Sequence, residues 1–366
     1  MHWRAVGQPV EDLETPFLAV SLDKLERNIA RMRRVIIEQA RIGWRPHTKA
    51  IKVPAIAHML LKAGAHGVTC AKLSEAEVMA GAGIHDILIA NQVVHPAKIA
   101  TLARLLEHAN VIVAVDCEEH LKRLEAGAEL TERPLPVVIE VNMGINRAGV
   151  EPGEPVLALA RQVASHRRLR FAGLMGWEGQ TAAIPDPERK RAAIEIAVGR
   201  LVESAERCRT DGFPVDIVSC GGTGTYWITA TIRGVTEVQA GGGVFSDVHY
   251  QEDFGVDHEL ALTIWTTVLS RPTRTRIVCD AGWKAMGRHP RLPRPLLRRP
   301  VAALNLAAEH ATIELEGEAD APVVGDRVEF AAGYSDSTVF LHDHLYGTRS
   351  GRVEAIWPIL GRGKIQ

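Results

Sequence analysis

The sequence predicts a (β/α)8 barrel followed by a smaller, mainly β domain. From Thr15 to about Gly243, short apolar runs alternate with amphipathic helical patterns in roughly eight or nine consecutive steps. Most of these runs do not alternate with polar residues, as is typical of parallel strands buried on both faces. After about Asp257 the apolar runs become short, partly alternating and interrupted by Gly and Pro, which indicates a smaller, mainly β domain.

The elements can be placed in order along the chain. The first barrel strand is expected at "PFLAVS" (16–21), and the following helix carries Leu25, Ile29, Met32 and Ile36 on one face. The later strands are expected at "GWRPHT", "GVTCA", "DILIA", "NVIVAVD", "LPVVIEVN", "LRFAGLM", "VDIVSC" and "VTEVQAGGG". No GxGxxG follows the first strand, which argues against a dinucleotide-binding sheet. We therefore expect a barrel over 14–256 and a mainly β domain over 257–366, joined by 1–13, that completes the active site.

Composition excludes several classes of partner. The chain has 366 residues, 46% hydrophobic and 24% charged, with 43 basic and 44 acidic side chains. This balance gives no electrostatic basis for binding nucleic acid or an anionic membrane surface, so a small-molecule partner is expected. The sequence shows no secretory signal pattern and no long apolar span, and its five cysteines are scattered without a CxxC spacing. A reducing, cytoplasmic compartment is therefore expected.

Two glycine-rich segments follow the last two predicted barrel strands. They are "SCGGTGTY" (219–226) and "QAGGG" (239–243). Glycines let backbone N–H groups approach an anion, and the hydroxyls of Thr223 and Thr225 can add to them. The alternative is that both segments are simply tight turns. Because they lie at neighbouring strand ends, where barrels often bind phosphate, the sequence favours a phosphate site.

Lys49 lies in "WRPHTKAIKVP", just past the second predicted strand and beside His47. The carboxyl ends of barrel strands carry the chemistry of this fold. A lysine there, opposite a phosphate site, can form a Schiff base with an aldehyde cofactor. Spacing alone favours the alternative, an ordinary salt-bridged lysine.

Several segments along the chain resemble those of one known family. The segments "RPHTKAIK", "VTCAKLSEAEVMAGAGIHDILIANQVV", "GGTGTY", "EVQAGGGVFSD", "CDAGWKA" and "DHLYGTRSGRVEAIWPILGRGK" occur in the order seen in one group of enzymes. The chain resembles the D-threonine aldolase and D-serine dehydratase group of fold-type III pyridoxal phosphate enzymes, which are related to alanine racemase. The resemblance runs from about Thr15 to Lys364.

The resemblance implies a set of cofactor-binding residues. Lys49 would carry pyridoxal 5′-phosphate as a Schiff base, with His47 beside it, and Arg147 would bond the phenolic oxygen of the cofactor. Trp177 occupies the position of a tyrosine that faces the cofactor in the family. The phosphate would be held by Thr223, Gly224, Gly241 and Gly242. By the same resemblance the chain is expected to form a homodimer.

The chain departs from the family pattern at the metal site. The family binds a divalent metal through a histidine and a cysteine or aspartate two residues later; here Tyr334 and Asp336 stand at those positions. Tyrosine is a poor ligand at neutral pH because its phenol must first lose a proton. Asp336 is the expected ligand if Mn²⁺, Zn²⁺ or Mg²⁺ binds, with His310, His342 or His344 as further candidates. The sequence leaves metal binding open.

The resemblance implies a pyridoxal phosphate-dependent lyase that acts on a D-configured β-hydroxy-α-amino acid. It would cleave the substrate to glycine, or another small amino acid, and an aldehyde, or eliminate the β-hydroxyl. Lys49 would move the α-proton, and His310, Asp336, Glu178 or Tyr334 would serve the β-hydroxyl in the absence of a metal. The alternatives are an amino-acid racemase or epimerase and a non-catalytic pyridoxal phosphate carrier.

Overall fold

The computed structural model describes residues 5–128, 133–318 and 321–366, which form two compact units. The barrel unit comprises the described parts of 31–49, 56–241 and 364–366, and the β unit those of 1–30, 50–55 and 242–363. None of the described helices has the length and apolar character needed to cross a membrane. The domain bounds 14–256 and 257–366 with 1–13 stay a prediction, and 1–4, 129–132 and 319–320 lie outside the described residues.

The first predicted barrel strand belongs to the other unit. Phe17–Ser21 (β1) pairs antiparallel with Leu262–Ser270 and parallel with His344–Arg349, so its assignment to the barrel is wrong. Phe17–Val20 are all buried. A strand in the middle of a mixed sheet, buried on both faces, gives the same unalternating apolar run as a barrel strand.

The barrel unit contains eight parallel strands. They are Gly43–Trp44 (β2), Val68–Cys70 (β3), Asp86–Ile89 (β4), Asn110–Val115 (β5), Leu135–Glu140 (β6), Leu169–Met175 (β7), Ile217–Cys220 (β8) and Glu237–Val238 (β9). Neighbours follow chain order from β3 to β9, and β9 pairs with β2. A bridge between His47 and Thr69 joins the chain after β2 to β3 and closes the sheet. The predicted (β/α)8 architecture is confirmed.

Some of the helices between residues 22 and 229 start at recognisable signals. The helices in this range are Leu22–Arg33 (α1), Pro54–Lys62 (α2), Leu73–Gly81 (α3), Pro96–Leu106 (α4), Glu118–Ala128 (α5), Glu154–Ser165 (α6), Pro187–Thr210 (α7) and Tyr226–Thr229 (α8). The Asp186 carboxylate caps α7 by accepting the N–H of Arg189 at 2.8 Å, and Pro187 occupies the first helical position. Both features stabilise a helix start because the first N–H groups have no partner within the helix.

The β unit is built on one nine-stranded sheet that includes β1. Its other strands are Leu262–Ser270 (β10), Arg276–Cys279 (β11), Arg294–Pro295 (β12), Val301–Leu306 (β13), Ala311–Leu315 (β14), Arg327–Ala331 (β15), His344–Arg349 (β16) and Arg352–Pro358 (β17). Three short helices accompany them, Val248–Glu252 (α9), Trp283–Met286 (α10) and Ser335–Thr338 (α11). The mainly β character predicted for the last third of the chain is confirmed.

Candidate active site

Lys49 lies at the carboxyl edge of the barrel, on a segment held on both sides by backbone hydrogen bonds. The N–H of His47 donates to the Gln239 carbonyl at 2.8 Å, and that of Thr48 to the Thr69 carbonyl at 2.8 Å. The Nδ1 atom of His47 accepts the backbone N–H of Lys49 at 3.3 Å. The His47 imidazole therefore fixes the backbone at Lys49, and the Lys49 side chain is half-buried.

Trp177 brings two predicted site residues together. The Lys49 Nζ atom lies 5.9 Å from the centroid of its ring, and the Arg147 Cζ atom lies 5.5 Å from it. Cations at this distance are attracted by the electron density of the indole face. Trp177 follows β7, Arg147 follows β6 and Lys49 follows β2, so three loops of the barrel mouth meet here.

The first glycine-rich loop, 221–225, packs against the same indole. A Cβ added to Gly222 would lie 2.8 Å from Trp177 Nε1, so only glycine allows this approach. The Gly222 N–H donates to Thr225 Oγ1 at 3.1 Å, and its carbonyl accepts the N–H of Tyr226 at 2.9 Å. These bonds flank Thr223 and Gly224, the two residues of this loop predicted to bind phosphate.

Thr225 has a different partner from the one expected. Its hydroxyl donates to the Glu178 carboxylate at 2.6 Å rather than pointing to a ligand. The sequence expectation that this hydroxyl contacts a phosphate is therefore wrong. Glu178 itself is fully buried, and its bonds to the loop had no signal in the sequence beyond its position after Trp177.

The second glycine-rich loop lies beside the Lys49 segment. A Cβ added to Gly241 would fall 2.1 Å from the carbonyl oxygen of His47, which requires glycine at this position. The Gln239 side chain donates to the Ser219 hydroxyl at 2.9 Å and so links the two glycine-rich segments. Gly241, His47, Thr223 and Gly224 thus belong to one edge of the barrel unit, as predicted from the strand order.

A line of polar groups extends from Arg147 across the barrel mouth. Its guanidinium lies 3.8 Å from the Glu140 carboxylate, and the Gln92 amide donates to both Glu140 and Asp116. Burial raises the pKa of Glu140, against the opposing effects of Gln92 and Arg147. The hydrogen bond from His120 lowers the pKa of Asp116. The sequence did not identify Gln92 and Glu140 as site residues, because their side-chain hydrogen bonds are with residues at the ends of other strands.

Within the described residues, Asp116, Cys117 and His120 form the group whose ligand atoms are close enough together to hold a metal ion. Asp336 is not part of this group. The three residues lie at the start of α5, where His120 Nδ1 is 3.1 Å from the Asp116 carboxylate.

The β unit holds Gly242 and Asp336 near a pair of tyrosines. A Cβ added to Gly242 would lie 2.4 Å from the Tyr250 hydroxyl, and this hydroxyl donates to Asp336 at 3.4 Å. The ring of Tyr334 packs edge-on against Tyr250 at 5.8 Å. Burial, followed by the negative charge of Asp336, raises the pKa of Tyr334, so its phenol stays protonated.

The other predicted metal candidates have separate surroundings. Within the β unit, His342 Nε2 lies 2.7 Å from the Ala285 carbonyl, and burial lowers the pKa of its ring. His310 is exposed in the turn between β13 and β14.

The chain is similar to known proteins over nearly its whole length. The family model for the alanine racemase N-terminal domain matches 20–248, and that for a putative serine dehydratase domain matches 261–348. The chain is 33% identical to the 3-hydroxy-D-aspartate aldolase of Paracoccus denitrificans (strain Pd 1222), covering 98% of this chain and 94% of the relative. It is 33% identical to the D-threonine aldolase of an Arthrobacter species, covering 98% and 95%. The crystal structure of D-threonine aldolase from Filomicrobium marinum matches with a TM-score of 0.94 and 34% identity over 98% of both chains.

Proposed function

This chain belongs to the alanine racemase-like family that includes D-threonine and 3-hydroxy-D-aspartate aldolases, and we propose that it is a pyridoxal phosphate-dependent lyase of D-configured β-hydroxy-α-amino acids. The relatives match it over 98% of its length, which supports an enzyme of the D-threonine aldolase type. The observation that carries the proposal is the meeting of Lys49, Arg147 and Trp177 beside two glycine-rich loops.

The residues at the barrel mouth fit pyridoxal phosphate. Lys49 would hold its aldehyde carbon, and Arg147 would bond its phenolic oxygen. The phosphate would be bound by Thr223, Gly224, Gly241 and Gly242. A Cβ at position 241 would clash with the His47 backbone, so only glycine lets the second loop lie this close to the Lys49 segment. When bound, the cofactor supplies an electron sink for charge that develops at the substrate α-carbon.

The protein's own groups would control protons and orientation. The Lys49 amine is the proposed acid and base at the α-carbon, because of the two basic side chains beside the Trp177 ring it is the one that can lose and regain a proton, whereas the Arg147 guanidinium stays charged. His47 would keep the Lys49 backbone in place through its 3.3 Å bond. Trp177 would form one wall of the site and exclude water from it.

The β-hydroxyl of the substrate needs a second group. Retro-aldol cleavage requires a base for its proton, whereas elimination requires an acid that protonates the leaving oxygen. Of the predicted candidates, Glu178 accepts three hydrogen bonds within the barrel unit, and Tyr334 is held protonated by its raised pKa. His310 is exposed. Asp336, which accepts the Tyr250 hydroxyl, is therefore the proposed base.

Two further proposals concern the state of the protein. We propose that the chain acts as a homodimer in the cytoplasm; none of its five cysteines forms a disulfide, which supports a reducing compartment. We also propose that activity does not require a divalent metal, with Asp336 as the ligand if one binds.

A racemase remains the second candidate, favoured by the match of 20–248 to the alanine racemase N-terminal domain. The match of 261–348 to a serine dehydratase domain favours a lyase over this alternative and over a cofactor carrier. Incubation of the cofactor-loaded protein with D-threonine, D-phenylserine, D-serine, 3-hydroxy-D-aspartate and D-alanine, followed by chiral chromatography with mass spectrometry, distinguishes them. Glycine plus aldehyde identifies an aldolase, and a 2-oxo acid plus ammonia a dehydratase. Inversion at the α-carbon without cleavage would identify a racemase and overturn the proposal.

A further inference from the structure

Glu178 is a buried carboxylate in the loop after β7. It is fully inaccessible to solvent. A buried carboxylate is costly unless hydrogen bonds replace the water that it has lost. Its Oε1 atom accepts the hydroxyls of Thr225 and Thr229, both at 2.6 Å, and its Oε2 atom accepts the N–H of Gly221 at 3.2 Å.

These three donors bracket the first glycine-rich loop. Gly221 begins the loop, Thr225 ends it, and Thr229 is the last residue of the short helix α8 that follows. The Thr225 hydroxyl also accepts the Gly222 N–H at 3.1 Å, so Gly222 is connected to Glu178 through one hydroxyl. One carboxylate therefore fixes the loop at both of its ends, on either side of Thr223 and Gly224.

The indole beside the loop is next to Glu178 in the chain. Trp177 immediately precedes Glu178, and its Nε1 edge lies against Gly222. A further glycine, Gly179, follows Glu178, and a Cβ there would lie 2.7 Å from the Trp177 ring. Displacement of Glu178 would thus change both the loop conformation and the support of the ring on which Lys49 and Arg147 lie.

We propose that Glu178 is a positioning residue that holds the 221–225 loop in the shape that binds the cofactor phosphate, so that it sets the preference for phosphorylated over unphosphorylated pyridoxal. This inference rests on the proposed function. A negative charge beneath the loop cannot itself bind phosphate, so its contribution is to order the donors. A loop ordered before binding loses less conformational entropy when the anion arrives.

The test compares two probes, pyridoxal 5′-phosphate and pyridoxal, on the full-length protein freed of cofactor. The variant Glu178→Gln keeps the size of the side chain but removes the charge and one acceptor. Hydrogen bonds to charged groups are strong enough that we expect about a tenfold rise in Kd for pyridoxal phosphate. The Kd for pyridoxal should change by less than about twofold, because that probe makes no phosphate contact.

The matched control is Glu125→Gln. Glu125 is half-buried and accepts the Arg168 N–H before the amino end of β7, whereas Glu178 follows the carboxyl end of the same strand. This control should leave both Kd values unchanged. A second variant, Thr229→Val, removes one donor without touching the carboxylate and should shift the preference in the same direction if Glu178→Gln does not fold.

Each result has a distinct meaning. Selective loss of pyridoxal phosphate affinity in Glu178→Gln or Thr229→Val supports the inference. Equal weakening of both probes, or no change in either, overturns it while leaving the proposed function intact. If the unsubstituted protein binds neither probe, the proposed function fails, and the inference fails with it.

Discussion

The ammonium of Lys49 lies 5.9 Å from the centroid of the Trp177 ring, and the guanidinium of Arg147 lies 5.5 Å from the same centroid. Two positive charges gathered at one aromatic ring favour an anionic or electron-rich ligand at that place. The two glycine-rich loops nearby favour phosphate. A cofactor with an aldehyde for Lys49, a phenolic oxygen for Arg147 and a phosphate for the two loops matches these residues.

Removal of the indole should weaken cofactor binding. Trp177→Ala removes the ring beside Lys49 and opens a gap next to Gly222, so we expect roughly a tenfold rise in the Kd for pyridoxal phosphate. Trp177→Phe keeps an aromatic face and should raise the Kd by less than about threefold. Titration of the visible absorbance of the bound cofactor measures both values. Equal Kd values for the two variants would show that the aromatic face contributes nothing.

Treatment with a chelator should change the lyase activity little. Burial and the Asp336 charge raise the pKa of Tyr334, so its phenol cannot serve as a metal ligand near neutral pH. After dialysis against EDTA we expect less than about a twofold loss of activity, and no gain on addition of Mn²⁺ or Zn²⁺. A large recovery with either ion would show that Asp336 or the Asp116, Cys117 and His120 group binds a metal that catalysis needs.

Asp336→Asn should separate chemistry at the β-hydroxyl from chemistry at the α-carbon. The amide cannot take a proton, so cleavage of D-threonine should fall by about 10²–10⁴-fold, the usual contribution of a general base. Exchange of the α-hydrogen of D-alanine in D₂O, which needs no group at the β-carbon, should persist. Tyr250→Phe, which removes the hydroxyl that donates to Asp336, serves as a milder comparison. Parallel loss of cleavage and exchange would show that Asp336 does not act on the β-hydroxyl specifically.

The buried ion pair between Arg45 and Glu237 should make the stability of the barrel unit depend on pH in the acid range. Glu237 accepts the Arg45 guanidinium at 3.0 Å and lies 2.9 Å from His66. Burial disfavours its charged form, but the His66 and Arg45 interactions outweigh this and lower its pKa to about 2. Because the folded pKa is depressed, this group stabilises the fold above its unfolded pKa near ~4.5, and the stabilisation is lost as the pH falls towards 2.

The variant Glu237→Gln tests this pair. It removes one of the two carboxylates that pair with the buried Arg45, the other being Asp86, and should cost about 3 kcal/mol of unfolding free energy at pH 7. Urea unfolding at several pH values should also show a weaker pH dependence in the variant between about pH 5 and 2. An unchanged slope in that range would mean that the Glu237 charge contributes little to folding.

The order of the elements could largely be predicted from the sequence. Unalternating apolar runs identify buried strands, and polar or glycine-rich residues at their carboxyl ends identify the barrel mouth, as Lys49, Arg147 and Trp177 show. The same signal misassigned Phe17–Ser21, because a central strand of the mixed sheet is equally apolar. Sheet membership depends on pairing partners more than 240 residues away, which local periodicity does not contain.

The internal bonds of the site could not be predicted. Thr225 was expected to face a ligand because hydroxyls commonly bind phosphate, yet its proton is donated to Glu178, 47 residues earlier in the chain. A carboxylate after a strand suggests catalysis as readily as support. Only its burial and its three donors identify Glu178 as a support of the loop.

Reduction of the cofactor-loaded protein with borohydride, followed by digestion and mass spectrometry, identifies the lysine that binds the cofactor. Reduction fixes a cofactor bound through a lysine to the side chain that holds it. We expect the pyridoxyl group on Lys49, and no visible absorbance or label in Lys49→Ala, whereas the exposed control Lys62→Ala should be labelled normally. A label on another lysine such as Lys52 or Lys72, or retention of the absorbance in Lys49→Ala, would show that Lys49 is not the lysine that binds the cofactor.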